Sequence, residues 1–296
     1  MNINLARHYG MCFGVRDALR STHDLAAERE LTVLGQLVHN PVVQEHLGRL
    51  GVTDGDLHDT SSAATKDVVI TAHGAADRDR RRWSEAGFRV SDTTCPLVKK
   101  AHSALAQFVA RGFFPVVIGK PDHVEVRGLT GDFPEAAVVE NFRDIVRLPH
   151  GVKLGVVSQT TQPIDHVERL VRQIEKCHPG VEVEFKDTVC QPTKDRQRAL
   201  EELCAENEVV IVVGGANSNN TAQLARTAEK LGARAHRVAR PEEIDPRWLR
   251  GAENIGVTAG TSTLDESVQQ VYAQLKQIAA KHSETIASRL KTLAGV

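Results

Sequence analysis

Asp92-Thr93-Thr94-Cys95-Pro96 is the stretch that organises this chain. It follows an apolar, strand-like run (Ala86–Val90) and opens a helix-like run that begins at Leu97. The device recurs as Asp187-Thr188-Val189-Cys190, after Val181–Phe185 and before another helix-like run. A third cysteine, Cys12, sits in Gly10-Met11-Cys12-Phe13-Gly14, again between a short strand signal and a helix signal. The cysteines stand 83 and 95 residues apart, about a third of the chain each time. Three thiols at three matched junctions point to one shared centre.

Composition narrows the function classes. With 296 residues there is room for two or three modules with sizeable cores. A net charge of −1 gives no reason to expect nucleic acid or an anionic membrane surface. Aromatic residues make up only 4%, too few for a base-stacking platform. The segment Met1–Arg7 lacks the apolar core of a signal peptide, and no apolar run approaches the roughly 20 residues of a membrane-spanning helix. The expectation is a cytoplasmic protein with no nucleic-acid or membrane partner. Five cysteines, an odd number, fit poorly with a disulfide scaffold. Cys177 and Cys204 lie in helical patterns and read as small buried side chains.

The coarse pattern is alternation. Val68–Ile70, Pro115–Ile118, Leu154–Val157 and Val209–Val213 read as buried strands. Between them lie helical periods, such as Ile164, Val167, Leu170, Val171 and Ile174 on one face, Gln223–Leu231, and Leu264–Leu293. Strands alternating with helices predict an α/β fold with mainly parallel sheets, whose ligands gather at the carboxyl ends of the strands. No linker divides the chain, so the repeat sets the partition. It gives αβα modules at 1–94 (Cys12), 95–187 (Cys95) and 188–280 (Cys190), and a C-terminal helical arm at 281–296. The initial strand of the first module is free to pack with the third.

Polar loops close these strands. His39-Asn40, His73-Gly74, His123-Val124-Glu125, Ser158–Thr161, Gly214–Asn220 and Thr258–Ser262 place hydroxyls, amides and imidazoles at six strand ends. That is an inventory for binding an anion through directed hydrogen bonds and helix dipoles. The chain has no Gly-x-x-x-x-Gly-Lys-Ser/Thr loop, and Gly214–Asn220 lacks the spacing of a dinucleotide fingerprint. An NTPase or a nicotinamide enzyme does not fit.

Taken singly, Cys12, Cys95 and Cys190 each read as a core thiol, and each histidine as an ordinary side chain. Together they read as a site. A helix N-terminus supplies the donors and positive potential that a thiolate needs. Structural zinc favours close Cys-x-x-Cys pairs, and small ferredoxins favour a run of close cysteines; neither occurs here. Three ligands from three modules would leave one corner of an iron–sulfur cubane without a protein thiolate, and such an iron can act as a Lewis acid.

At this point the residues resemble a known family, the 4-hydroxy-3-methylbut-2-enyl diphosphate reductases (LytB/IspH). The resemblance rests on Cys12–Val15, Val38–Asn40, Ala72–Gly74, Asp92–Val98, His123–Gly128, Gln159–Thr161, Asp187–Cys190 with Arg196-Gln197, Asn217–Asn220 and Thr258–Ser262, nine motifs in the family's order over nearly the whole chain. It implies three αβα modules in a pseudo-threefold arrangement around a central 4Fe–4S cluster. Carried over by position, Cys12, Cys95 and Cys190 would ligate three irons and leave one iron without a protein thiolate. His39, His73, Ser218, Asn219, Asn220 and Ser262 would hold the diphosphate of an allylic substrate. His123, Glu125 and Thr160 would surround its hydroxyl. The implied reaction is reductive dehydroxylation, the last step of the methylerythritol phosphate route to isoprenoids, with electrons from a ferredoxin- or flavodoxin-type donor. Losing hydroxide from an allylic alcohol also needs a proton source, and Glu125 is the natural general acid.

Three positions depart from the family's commonest pattern. Val124 stands where proline is usual, Asn219 where a serine is usual, and Leu264 near a helix start that usually carries proline. These bear on substrate geometry rather than on the reacting groups. Two other readings fit the residues alone. One is a divergent iron–sulfur paralogue acting on another phosphorylated substrate, the other a non-catalytic iron–sulfur redox sensor; the retained Glu125 and the phosphate loops weigh against the sensor.

Overall fold

A computed structural model describes residues 1–293, with side chains described as far as Lys281. The C-terminal arm expected at 281–296 therefore falls, apart from Lys281 and a helical backbone to Leu293, outside the described residues. The fold divides into two compact units. The first comprises Met1–Cys12, His39–Val42 and Asp195–Val296, and the second Phe13–Val38 and Val43–Lys194.

The second unit holds two parallel sheets. One is built from β2 (Leu31–Leu34), β3 (Thr53–Gly55), β4 (Asp67–Ile70) and β5 (Arg89–Asp92), in the order β3-β2-β4-β5. The other uses β6 (Phe114–Ile118), β7 (Ala137–Val139), β8 (Leu154–Ser158) and β9 (Val183–Phe185), in the order β7-β6-β8-β9. The first unit adds a third parallel sheet, β1-β12-β10-β11, from β1 (Asn2–Leu5), β10 (Val209–Val213), β11 (Arg234–Val238) and β12 (Asn254–Ala259). Every named strand pairs in parallel. The N-terminal strand completes the sheet built by the C-terminal part of the chain, its register running from Asn2 opposite Asn254 to Leu5 opposite Val257.

The helices are α1 (Phe13–Glu28), α2 (Pro41–Arg49), α3 (Asp77–Glu85), α4 (Pro96–Ala110), α5 (Val124–Thr130), α6 (Phe142–Ile145), α7 (Ile164–Cys177), α8 (Gln191–Glu206), α9 (Asn219–Lys230) and α10 (Asp265–Leu293). The predicted α7 face is the buried one, through Val167, Leu170, Val171 and Ile174. These pack with Val116, Ile118, Leu154 and Val156 of the strands. The opposite face of that sheet packs Val117 and Val157 against Leu105 and Phe108 of α4. Central strands such as β10 are buried along their whole length, which is why they read as unbroken apolar runs. No helix of the described residues is long and apolar enough to cross a membrane.

Two strand signals needed trimming. The run Ala86–Val90 is not all strand, because Gly87 at φ +83° turns the chain out of α3 and β5 begins only at Arg89. Likewise β9 starts at Val183, after the turn at Gly180.

The strand orders explain where the polar loops lie. β2, β6 and β10 each have the next two strands of their sheet in sequence on opposite sides, so the direction of winding reverses between β2 and β4, β6 and β8, and β10 and β12. Loops leaving the carboxyl ends of such a pair diverge and open a crevice, the usual ligand position in parallel sheets. His39, His73, His123, Thr160, Ser218 and Ser262 all follow these six strands in sequence. Each cysteine follows the strand beyond, β1, β5 or β9.

Candidate active site

The three cysteine junctions share one backbone device. Cys12 donates its N–H to Thr261 O (3.0 Å), Cys95 to Ala72 O (3.1 Å) and Cys190 to Thr160 O (2.9 Å). In each case the acceptor belongs to the loop after the neighbouring strand of the same sheet. Each thiol therefore leaves a pinned peptide at the start of a helix; none of the three is in a disulfide, and each is partly exposed. Cys95 is the N-cap of α4, with Pro96 at the first helical position.

The Asp-Thr pair before two of the cysteines has a direct physical use. Asp92 accepts N–H of Thr94 (3.0 Å), and Asp187 accepts N–H of Val189 (3.0 Å), folding the same turn. Thr93 donates its hydroxyl to Ile70 O (2.6 Å), and Thr188 to Ser158 O (2.6 Å), fastening that turn to the last residue of the adjacent strand. The Cys12 loop lacks the Asp-Thr pair. The buried Arg196 guanidinium instead donates from Nε to Gly10 O (3.2 Å). Arg196 lay within a quoted motif, but its role needed the fold, because partner and residue are 186 positions apart.

Within the second unit, Gly14 packs onto the sulfur of Cys95: a Cβ at residue 14 would lie 2.3 Å from Sγ. Gly14→Ala should therefore displace this sulfur and lower the iron bound after anaerobic reconstitution severalfold, a change read by iron analysis. His73 and His123 meet edge to face, with ring centroids 5.5 Å apart. His123 caps α5, its Nδ1 accepting N–H of Glu125 (3.2 Å), so the neutral ring carries its proton on Nε2. Glu125 is 1% exposed, and its Oε1 accepts N–H of Thr160 (2.6 Å). Burial pushes its carboxyl up to about 7, with the Thr160 hydrogen bonds pulling the other way. Thr160 is thus a node: its N–H serves Glu125 and its C=O holds Cys190.

The first unit gathers a different set. The His39 imidazole is kept below its ordinary pKa by burial, partly opposed by a hydrogen bond to the Asn217 backbone, and is neutral at pH 7. Ser218 caps α9 and accepts N–H of Thr221 (3.3 Å). Asn220 is buried and accepts N–H of Thr261 (3.0 Å) through Oδ1. Asn40, which the sequence reading quoted without a role, accepts N–H of Val42 (2.9 Å) and donates to Ser262 O (2.8 Å). Ser262 Oγ is buried and has no hydrogen-bond partner among the described residues, as is Thr258 Oγ1. A buried hydroxyl without a partner costs stability, and Ser262, just past the end of β12, has this donor available to a ligand. Close backbone approach makes room here, since a Cβ on Gly215 would lie 2.6 Å from His39 O. Asn219 is the first residue of α9.

A protein-family model described as "LytB protein" matches residues 3–276. The chain belongs to the LytB family. Relatives in this family include a 4-hydroxy-3-methylbut-2-enyl diphosphate reductase from Aquifex aeolicus, 32% identical over 94% of this chain and 97% of the relative. One of the same description from Pelobacter propionicus is 34% identical over 95% of this chain and all of its own length. Among solved structures, an E-1-hydroxy-2-methyl-but-2-enyl-4-diphosphate reductase from Plasmodium falciparum superposes with a TM-score of 0.85 at 26% identity, covering 90% of this chain and 86% of that one. A second, described as the terminal enzyme of the non-mevalonate pathway, covers 94% of this chain and 100% of its own, with TM-score 0.64 and 30% identity. LytB proteins depend on an iron–sulfur group. The donor chemistry fits one: Cys12, Cys95 and Cys190 each sit on a pinned peptide at a helix start, and none is engaged in a disulfide. Cys177 and Cys204, expected to be buried, are only partly buried and pack at the margins of apolar cores, because each lies at the edge of its helix's apolar face.

Proposed function

We infer that the chain reductively removes the hydroxyl of (E)-4-hydroxy-3-methylbut-2-enyl diphosphate and releases isopentenyl and dimethylallyl diphosphates. A C–O bond breaks, a C–H bond forms, and two electrons and two protons are taken up as the hydroxyl leaves as water. A 4Fe–4S cluster held by Cys12, Cys95 and Cys190, with one iron lacking a protein thiolate, would supply the electrons and a Lewis acid toward the departing oxygen. A ferredoxin- or flavodoxin-type carrier is the proposed source of those electrons.

The chain's own residues do the rest. Glu125, whose burial keeps about half of it protonated at pH 7, delivers a proton to the leaving hydroxyl. Thr160 fixes the direction of the Glu125 carboxyl through its N–H, and in this reading its hydroxyl orients the substrate oxygen. His123 caps the helix that carries Glu125, His73 follows Ala72, whose C=O holds the Cys95 peptide, and both rings face the substrate in this reading. His39, Ser218, Asn219, Asn220 and Ser262 take the diphosphate, with help from the N-terminus of α9. One observation carries the reading: a single residue, Thr160, ties the buried acid to the peptide of a cysteine ligand.

Anaerobic assay with the hydroxymethylbutenyl diphosphate and a reduced donor tests it. Conversion to the two isoprenoid diphosphates is expected, and tight binding without turnover would point to a different substrate. Ser262→Ala gives a finer test. Its hydroxyl bonds nothing among the described residues, so Tm and iron content should hold while KM rises about tenfold, the worth of roughly one hydrogen bond.

A further inference from the structure

The repeated motif is longer than Asp-Thr-x-Cys. A cation stands four residues after each cysteine: Arg16 after Cys12, Lys99 after Cys95 and Lys194 after Cys190. Four residues is one helical turn, which puts thiol and cation on the same face with Cβ atoms about 6 Å apart. In the two copies that carry the aspartate, the lysine also closes back onto it. Lys99 Nζ lies 2.9 Å from Asp92, and Lys194 Nζ pairs with Asp187 in the same way. Each of these cysteines is therefore bracketed by an aspartate three residues before and a lysine four residues after, joined by an ion pair. Arg80 also reaches Asp92, with Nε at 3.5 Å.

We propose that Lys99 and Lys194 are positioning residues that set the reduction potential of the iron–sulfur group through this clamp; the proposal rests on Cys95 and Cys190 holding that group. The lysine charge favours the electron-rich reduced state, and the paired aspartate offsets part of it. Lys194 is the more sheltered, its side chain 20% exposed against 50% for Lys99, so solvent and salt screen it less and its influence is the larger.

The test is the midpoint potential of the anaerobically reconstituted full chain, followed by its visible and electron paramagnetic resonance spectra. Lys194→Met and Lys99→Met should move the midpoint to more negative values, Lys194→Met further, with iron and sulfide content unchanged. Asp92→Asn keeps an acceptor for Thr94 but loses the negative charge, and should move it to more positive values. The Lys99→Met/Asp92→Asn pair should return close to the parent value, and Lys99→Arg should match the parent. A purely structural clamp would not give shifts of opposite sign. Shifts in one direction for lysine and aspartate variants, no shift, or loss of the cluster in all of them would overturn the proposal. A parent chain that binds no iron–sulfur group would instead overturn the reading beneath it.

Discussion

Glu125→Gln is expected to lower kcat by about 10²- to 10⁴-fold, the usual contribution of a positioned general acid, while leaving iron and sulfide content unchanged. Glutamine preserves the shape of the side chain and an oxygen to accept N–H of Thr160, so the Thr160–Cys190 contact should survive. What is lost is the transferable proton. The parent's kcat should fall as pH rises through about 7, where Glu125 gives up that proton, and the variant's residual rate should lack this limb. Stability should respond to the same titration. The folded carboxyl titrates at about 7 against an ordinary 4.5, so the folded state binds more protons between these values. Parent stability should therefore fall as pH rises from about 4.5 to about 7, by up to about 3 kcal/mol. Below that window the penalty is absent. Glu125→Gln cannot ionise, so its Tm should exceed the parent's at pH 8 and lose that advantage at pH 4.5. Parent-like turnover in the variant would remove Glu125 from the proton path.

The second large effect concerns which thiols matter. Cys12→Ala, Cys95→Ala and Cys190→Ala should each lose turnover to background and fail to retain the full complement of iron. Cys204→Ala should do neither. Burial, with the charge of Glu201 adding to it, pushes the Cys204 thiol up to about 11, so it remains protonated and is a poor ligand at neutral pH. Iron per chain, measured after anaerobic reconstitution of the four variants side by side, separates the two groups. Equal iron in all four would mean that the cysteines at the strand-to-helix junctions hold nothing in common.

Much of this was readable in the chain because the relevant signals are local. Unbroken apolar strands, amphipathic α7 and polar strand ends all follow from residues close in sequence, and they led to parallel sheets and to the loops carrying His39, His73, His123, Thr160, Ser218 and Ser262. The hidden features are those decided by distant partners. Nothing near Gly14 announces that Cys95 Sγ occupies the space of its missing side chain. Arg196 holding Gly10, and Asn40 holding Ser262, span 186 and 222 residues. The aspartate–lysine clamp lay in plain view as a seven-residue spacing, but only the ion pairs give that spacing a meaning. Strand starts also slipped, because a glycine turn inside an apolar run looks like strand until its positive φ is known.

The most direct check on the central claim is the iron, zinc and acid-labile sulfide content of the chain purified without oxygen. About four irons and four sulfides per chain, with negligible zinc, is the predicted result for one 4Fe–4S cluster on Cys12, Cys95 and Cys190. Bound zinc without sulfide, or no metal after reconstitution, would contradict it.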